Sequence, residues 1–136
     1  LGIISAIYRG GWGDYLARLI TIMGVSTPTF WFAIILMLLF AFVYPILPIT
    51  GDMSQHGLKA MILPSLTIAL HPAALIARIM RSSMLEVLSL EMTRTATAKG
   101  LSPRRVYLVH AFRNAVNPVI TVVGFQFANL YHLNYI

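Results

Sequence analysis

The sequence predicts an all-α integral membrane protein, and three observations lead there. Of 136 residues, 58% are hydrophobic and 10% charged, where a soluble domain carries about 25% charge. Three long intervals contain no charged side chain: 19–51, 60–77 and 114–136. About 20 apolar residues suffice to cross the hydrocarbon core. After the second interval, and running into the start of the third, lies a polar, cationic stretch, EMTRTATAKGLSPRRVYLVHAFRNAVNP, whose glycine and prolines punctuate two short helical segments. The mean hydropathy of +0.79 agrees with a chain solvated largely by lipid. Without cysteine there is neither a disulfide framework nor a thiolate metal site.

In chain order, LGIISAIYRG reads as the end of an apolar helix running into a basic loop. It has neither a methionine nor a signal-peptide n-region, which points to an N-terminus that is not that of a complete gene product. The first span is expected at about 28–47. Pro28 sits at its entry, where a missing N–H costs little, and Trp31 and Tyr44 lie near its ends as interfacial aromatics do. The second span is expected at about 61–80, interrupted by Pro64 and by His71-Pro72. Pro72 removes a backbone bond to the Ile68 carbonyl, and lipid offers no replacement. His71 and Pro72 are therefore candidates for a kink or a pore lining. The third span is expected at about 115–131, with YHLNYI making a poor membrane end.

The basic residues orient these spans. Arg81, Arg94, Lys99, Arg104, Arg105 and Arg113 fall between the second and third spans, and Arg9 and Arg18 precede the first. By the positive-inside rule, the N-terminus and the loop 81–113 face the cytoplasm, and LPITGDMSQHG lies outside. Within the loop, Ser83 and Glu86 have the spacing of a capping box, which would open a helix running to about Lys99. Gly100 would end that helix in the left-handed conformation. Ser102 would cap a second helix with Pro103 at its first position, and that helix would turn Val106, Leu108 or Val109, and Phe112 to one side. The result is a compact elbow with a cationic rim.

ARIMRSSMLEVL, RTATAKGLSPRRV and HAFRNAVNPVIT resemble the permease subunits of bacterial dipeptide/oligopeptide (peptide/nickel-type) ABC importers, binding-protein-dependent inner-membrane components. The signature of those permeases is the EAA loop, Glu-Ala-Ala, three residues, Gly, then nine more before Ile-x-Leu-Pro. Anchored on Gly100, it places Arg94, Thr95 and Ala96 at the Glu-Ala-Ala positions, and His110, Phe112 and Arg113 at Ile, Leu and Pro. The Arg-Thr-Ala-x-Ala-Lys-Gly-Leu version is the one the peptide branch favours. GVSTPTFWFAIILMLLF and LPITG are also similar to these permeases, so the resemblance covers about residues 1–128. Such permeases have about six spans, whereas this chain shows three plus the end of another, and YHLNYI departs from the family's continuation. The resemblance thus implies a partial type I ABC importer permease fold, an internal piece or a truncated gene product.

It also implies a mechanism. The elbow would insert as a coupling helix into a cytoplasmic ATPase, and ATP-driven closure would switch the pore between outward and inward access. Gly100 would permit the sharp turn, with Leu101 and Ser102 leading out of it. Ala96 and Ala98 would allow close approach, and Lys99, Arg104 and Arg105 would meet acidic residues of the ATPase or lipid headgroups. The implied partners are a second permease subunit, two ATP-binding subunits, an extracytoplasmic solute-binding protein and membrane lipid. The chain has no G-x-x-x-x-G-K-[ST] phosphate loop. ATP would therefore be held by the separate ATPase, with no cofactor, metal or catalytic residue on this chain.

Other readings account for less. A DNA-binding helix–turn–helix would have both ends tied to membrane spans, which obstructs groove entry and argues against nucleic acid. Haem ligation by His71 and His132 would use one histidine of the irregular tail. A histidine bonded to a backbone carbonyl at the Pro72 kink is the simpler account of His71. A secondary transporter would want more ionisable groups within its spans than His71. Ser26, Thr27, Thr29, Ser65 and Thr67 suit small polar contacts between helices or a pore lining. A non-transporting membrane anchor that keeps the loop without its function is the alternative outcome for a truncated product.

Overall fold

The computed structural model describes residues 1–49 and 53–133. These are helical with connecting turns, and no strand occurs among them. Eight α-helices follow in order: α1 Gly2–Ile7, α2 Trp12–Ser26, α3 Thr29–Met37, α4 Met53–His56, α5 Ile62–Ser89, α6 Glu91–Ala98, α7 Pro103–Arg105 and α8 Phe112–Leu133. π-Helical turns at Leu38–Val43 and Val106–Ala111 and a 3₁₀ turn at Gly57–Met61 join some of them. Residues 1–22 with 74–136 make one compact unit, and residues 23–73 make a second. By length and composition, two helical stretches are able to cross a membrane, 54–89 and 103–129. A third exists if the broken pair Trp12–Ser26 and Thr29–Val43 counts as one.

In the second unit, the break at Thr27 follows from Pro28, which pushes the preceding residue out of the α region. Pro28 itself is extended, with φ −61° and ψ 134°, and caps α3. The helix carrying the first expected span ends at Val43 rather than Leu47. Tyr44 turns extended ahead of Pro45 and Pro48, and the Ile46 and Leu47 N–H groups fold back onto the Phe40 carbonyl. Pro64 falls in the first turn of α5, where its missing N–H has no helical partner to lose. The Thr27 and Thr67 hydroxyls donate to the carbonyls of Met23 and Leu63, four residues back on the same chain, at 2.6 and 2.8 Å. Those two threonines are satisfied locally rather than across a helix–helix contact.

The first unit is built where α1, α5 and α8 converge. Ala6, Met84, Ala111 and Ala115 form its buried core, with Ile3, Met80, Leu88 and Phe112 packed around them. Small side chains let the backbones approach closely, the packing device of membrane helices. Gly2 shows it best: a Cβ there would collide with the Ala77 carbonyl oxygen and stand 3.0 Å from the Met80 Cβ.

The capping box expected at Ser83 and Glu86 does not form. α5 runs unbroken through both residues to Ser89, and Ser83 is buried in the helix interior. The segment from Ala77 to Leu88 is rich in strong helix formers and carries Met84, fully buried, on its inner face. Continuation therefore outweighs a local start signal. At 1.5 Å per residue α5 is about 42 Å long, longer than a hydrocarbon core of about 30 Å. The new helix begins instead at Glu91, with Leu90 at its N-cap.

Candidate functional site

The elbow starts at the corner between α5 and α6. Leu90 leaves the helix with φ −69° and ψ 148°, and the last carbonyls of α5 need donors. The Ser89 hydroxyl donates to Glu86 O at 2.7 Å, and the buried Thr93 hydroxyl donates to Val87 O at 2.8 Å. Thr93 thus ties the first turn of α6 back onto the end of α5. Sequence reasoning passed over this residue, which stands one position before the Arg94-Thr95-Ala96 motif.

α6 closes in a Schellman motif. The Gly100 N–H bonds Thr97 O at 3.0 Å, the Leu101 N–H reaches Ala96 O at 3.4 Å, and Gly100 takes φ +80°. These are the paired 5→2 and 6→1 bonds of that motif, and Gly100 has the left-handed conformation expected of it. Ser102 does occupy the next N-cap, and its carbonyl accepts the N–H groups of Arg105 and Val106 at 2.9 and 3.1 Å. Its hydroxyl makes no capping bond, so Pro103 at the first position sets this start.

The chain then passes through the π-helical turn Val106–Ala111 into α8, and α6 packs against that turn. Val106 and Ala111 are buried and Phe112 is half-buried, but Leu108 and Val109 are exposed, at 46% and 51%. The i→i+5 winding of the π turn sets Ala111 on the same face as Val106, and Leu108 and Val109 lie off that face. Ala96 faces inward, while Thr95, Ala98, Lys99, Ser102, Arg104, Arg105 and Arg113 face out. Arg94 belongs to α6, and its side chain lies outside the described ones. A shallow groove of about 340 Å³ between Ala96, Lys99, Leu101 and His110 follows the inner edge of the elbow.

The base of the elbow is anchored by a buried charge cluster in the same unit. Gly10, with φ +81°, turns α1 into α2, and Asp14 in the first turn of α2 accepts the Gly10 N–H at 3.1 Å. The Ser5 hydroxyl of α1 donates to Asp14 Oδ1. From α5, Arg81 closes on the same carboxylate through Nε to Oδ1 at 2.8 Å and Nη2 to Oδ2 at 2.9 Å. Its Nε also lies 2.8 Å from Ser5 Oγ, and Arg18 Nη2 stands 3.3 Å from Oδ2. Asp14 lies in the charged stretch ahead of the first uncharged interval. The Arg81 side chain, the Ser5 hydroxyl and the Gly10 N–H together satisfy this buried carboxylate.

Of the remaining candidates, His71 and Pro72 belong to the second unit. α5 continues through Pro72, His71 is exposed, and among the described residues no hydrogen bond to its ring is present. His132 lies in α8, outside the described side chains. Among the described residues no group of three or more His, Cys, Asp or Glu side chains gathers to hold a metal.

Comparison with known proteins fits this geometry. The model of the binding-protein-dependent transport system inner membrane component family matches residues 1–133. The dipeptide transport system permease protein DppB of Bacillus subtilis (strain 168) is 44% identical over 96% of this chain and 41% of its own length. The di/tripeptide transport system permease protein DppB of Pseudomonas aeruginosa (strain UCBPP-PA14) is 40% identical over 95% of this chain and 46% of its own length. The glutathione transport system permease protein GsiC of Escherichia coli (strain K12) is 43% identical over 95% and 41%. The chain therefore spans less than half the length of these curated relatives. Its long apolar helices, its polar elbow and this match over nearly every residue lead to one conclusion: the chain belongs to the family of binding-protein-dependent transport system inner membrane components.

Proposed function

We propose that this chain is part of the permease subunit of an ATP-driven importer for peptides or similar small solutes, and that its elbow, 94–113, couples ATPase motion to alternating access. The observation that carries this reading is the turn at Gly100. A Schellman-capped helix end leaves Ala98, Lys99, Arg104 and Arg105 exposed around one hydrogen-bonded turn. Such a tip suits insertion into an acidic groove, because the end of α6 is capped by its own backbone bonds and Lys99, Arg104 and Arg105 make no ion pair among the described residues.

ATP hydrolysis then belongs to separate ATP-binding subunits, two of them, with a second permease subunit and an extracytoplasmic solute-binding protein completing the assembly. The elbow and the N-terminus face the cytoplasm, as the Arg and Lys distribution favours. The membrane is a bacterial inner membrane. The relatives named for dipeptide, di/tripeptide and glutathione transport support peptides as the solute class.

The test is the Arg104→Glu/Arg105→Glu double variant in the complete transporter, scored for uptake of a labelled dipeptide and for co-purification of the ATP-binding subunits. Both should fall at least about tenfold, as expected when charge-assisted contacts become repulsive. Unchanged uptake and co-purification would remove the coupling assignment.

A further inference from the structure

A cavity of about 360 Å³ opens between α1, α2 and α5 within the first unit. That is the size range of small-molecule sites. Its lining is unusual for a chain so poor in charge: it includes Arg18, Arg78 and Arg81, with Ser5, Thr21 and Ser82. The acid paired with this group, Asp14, is fully buried and is not part of the cavity wall. Set against three guanidinium groups, its single carboxylate leaves two positive charges in excess.

The donors are also incompletely used. Arg81 spends Nε and Nη2 on Asp14 and Ser5. Arg18 gives Nη2 to Asp14 and lies over the Tyr15 ring at 4.9 Å, while its Nε is buried with no hydrogen-bond partner among the described residues. Arg78 makes no ion pair among the described residues. The guanidinium groups that are not committed to Asp14 therefore leave charge and donors to spare for an oxyanion in the cavity.

Small residues, Gly2, Ala17 and Ala77, form part of its walls. A side chain at Gly2 is excluded by the Ala77 backbone. The apolar part of the rim, Ile22 and Ile79, suits the first carbons of a lipid.

The geometry points to a binding site for a phosphate group in this cavity, either the headgroup phosphate of an anionic phospholipid or free phosphate, held by Arg18, Arg78 and the spare face of Arg81. Basic pockets between membrane helices on the cytoplasmic side bind anionic headgroups. The inference rests on the permease reading only for placing the cavity at that leaflet.

The test uses the assembled transporter, delipidated in detergent and examined by native mass spectrometry. The probes are dioleoyl phosphatidylglycerol, dioleoyl phosphatidylcholine and inorganic phosphate. Arg78→Gln and Arg18→Gln are the variants; Arg78 is exposed and stands outside the Asp14 cluster, so its loss spares the packing. A lipid site retains phosphatidylglycerol about tenfold better than phosphatidylcholine, and each variant erodes that preference about tenfold, the scale of one charge-assisted contact. A free-phosphate site binds inorganic phosphate with the same dependence on Arg18 and Arg78 and shows no preference between the lipids. Absence of binding by all three probes, or binding indifferent to both arginines, overturns the proposal. Co-purification of the ATP-binding subunits is scored in the same samples. If they co-purify and no anion binds, only the cavity assignment falls; if an anion binds without them, only the permease reading falls.

Discussion

Arg81 and Asp14, sixty-seven residues apart in sequence, meet in a two-point ion pair with contacts of 2.8 and 2.9 Å around a fully buried carboxylate. With Ser5 on the same oxygen, the pair fastens α1, the start of α2 and the last third of α5 into one block. The elbow grows directly from the end of that block. A displacement of the elbow would therefore be passed to α5 and to the α1–α2 corner together.

Removing either partner leaves the other buried and unpaired, which is the damaging way to break such a pair. Asp14→Ala and Arg81→Ala should each lower the amount of folded, membrane-inserted protein several-fold, measured by protease protection in isolated membranes. The double variant should be no worse than the more damaging single one, because the two residues act as a unit. Arg81→Lys should not restore the wild-type level, since an ammonium lacks the planar fork that meets both carboxylate oxygens.

Gly100 is required for its backbone conformation and not for space, because nothing lies within 4 Å of a Cβ built there. Gly100→Val should cost roughly 1–2 kcal/mol at the turn and weaken docking of the ATP-binding subunits. Gly100→Asn, the residue that best tolerates left-handed backbone, should keep most of it. Co-purification of the three proteins side by side checks the ranking.

The opposite logic holds at Gly2, where conformation is ordinary and space is absent. Gly2→Ala should destabilise the chain by about 1–3 kcal/mol through overpacking against the Ala77 carbonyl. Gly124→Ala in α8 meets open space and should be neutral or stabilising by up to about 1 kcal/mol. Thermal melts of the two variants in detergent separate them.

Met84 is the largest fully buried side chain of the core. Met84→Ala should cost about 2–5 kcal/mol, and Met84→Leu less than about 1.5 kcal/mol, by the same melts.

What was legible in the sequence depended on distance along the chain. The turn at Gly100 is written within a few residues: a left-handed glycine, then Ser102 and Pro103. The apolar intervals likewise announce their helices. Less local facts were hidden. Ser83 and Glu86 imitate a helix start, and only the burial of Met84 against Ala6, Ala111 and Ala115 shows why α5 ignores it. The one cue to Asp14 was an acid between Arg9 and Arg18 in a basic segment; its partner Arg81 reads as another positive-inside residue until the fold brings it near. The π turn that brings Ala111 onto the face of Val106 has no signature in residue type.

The most direct measurement is a cysteine crosslink from the elbow: Ala98→Cys in the complete permease, in native membranes, scored for attachment to an ATP-binding subunit. A specific adduct that disappears on adding Gly100→Val is the result predicted for a coupling elbow whose tip depends on that turn. A membrane-inserted permease that gives no adduct, or one whose adduct ignores Gly100→Val, would contradict it.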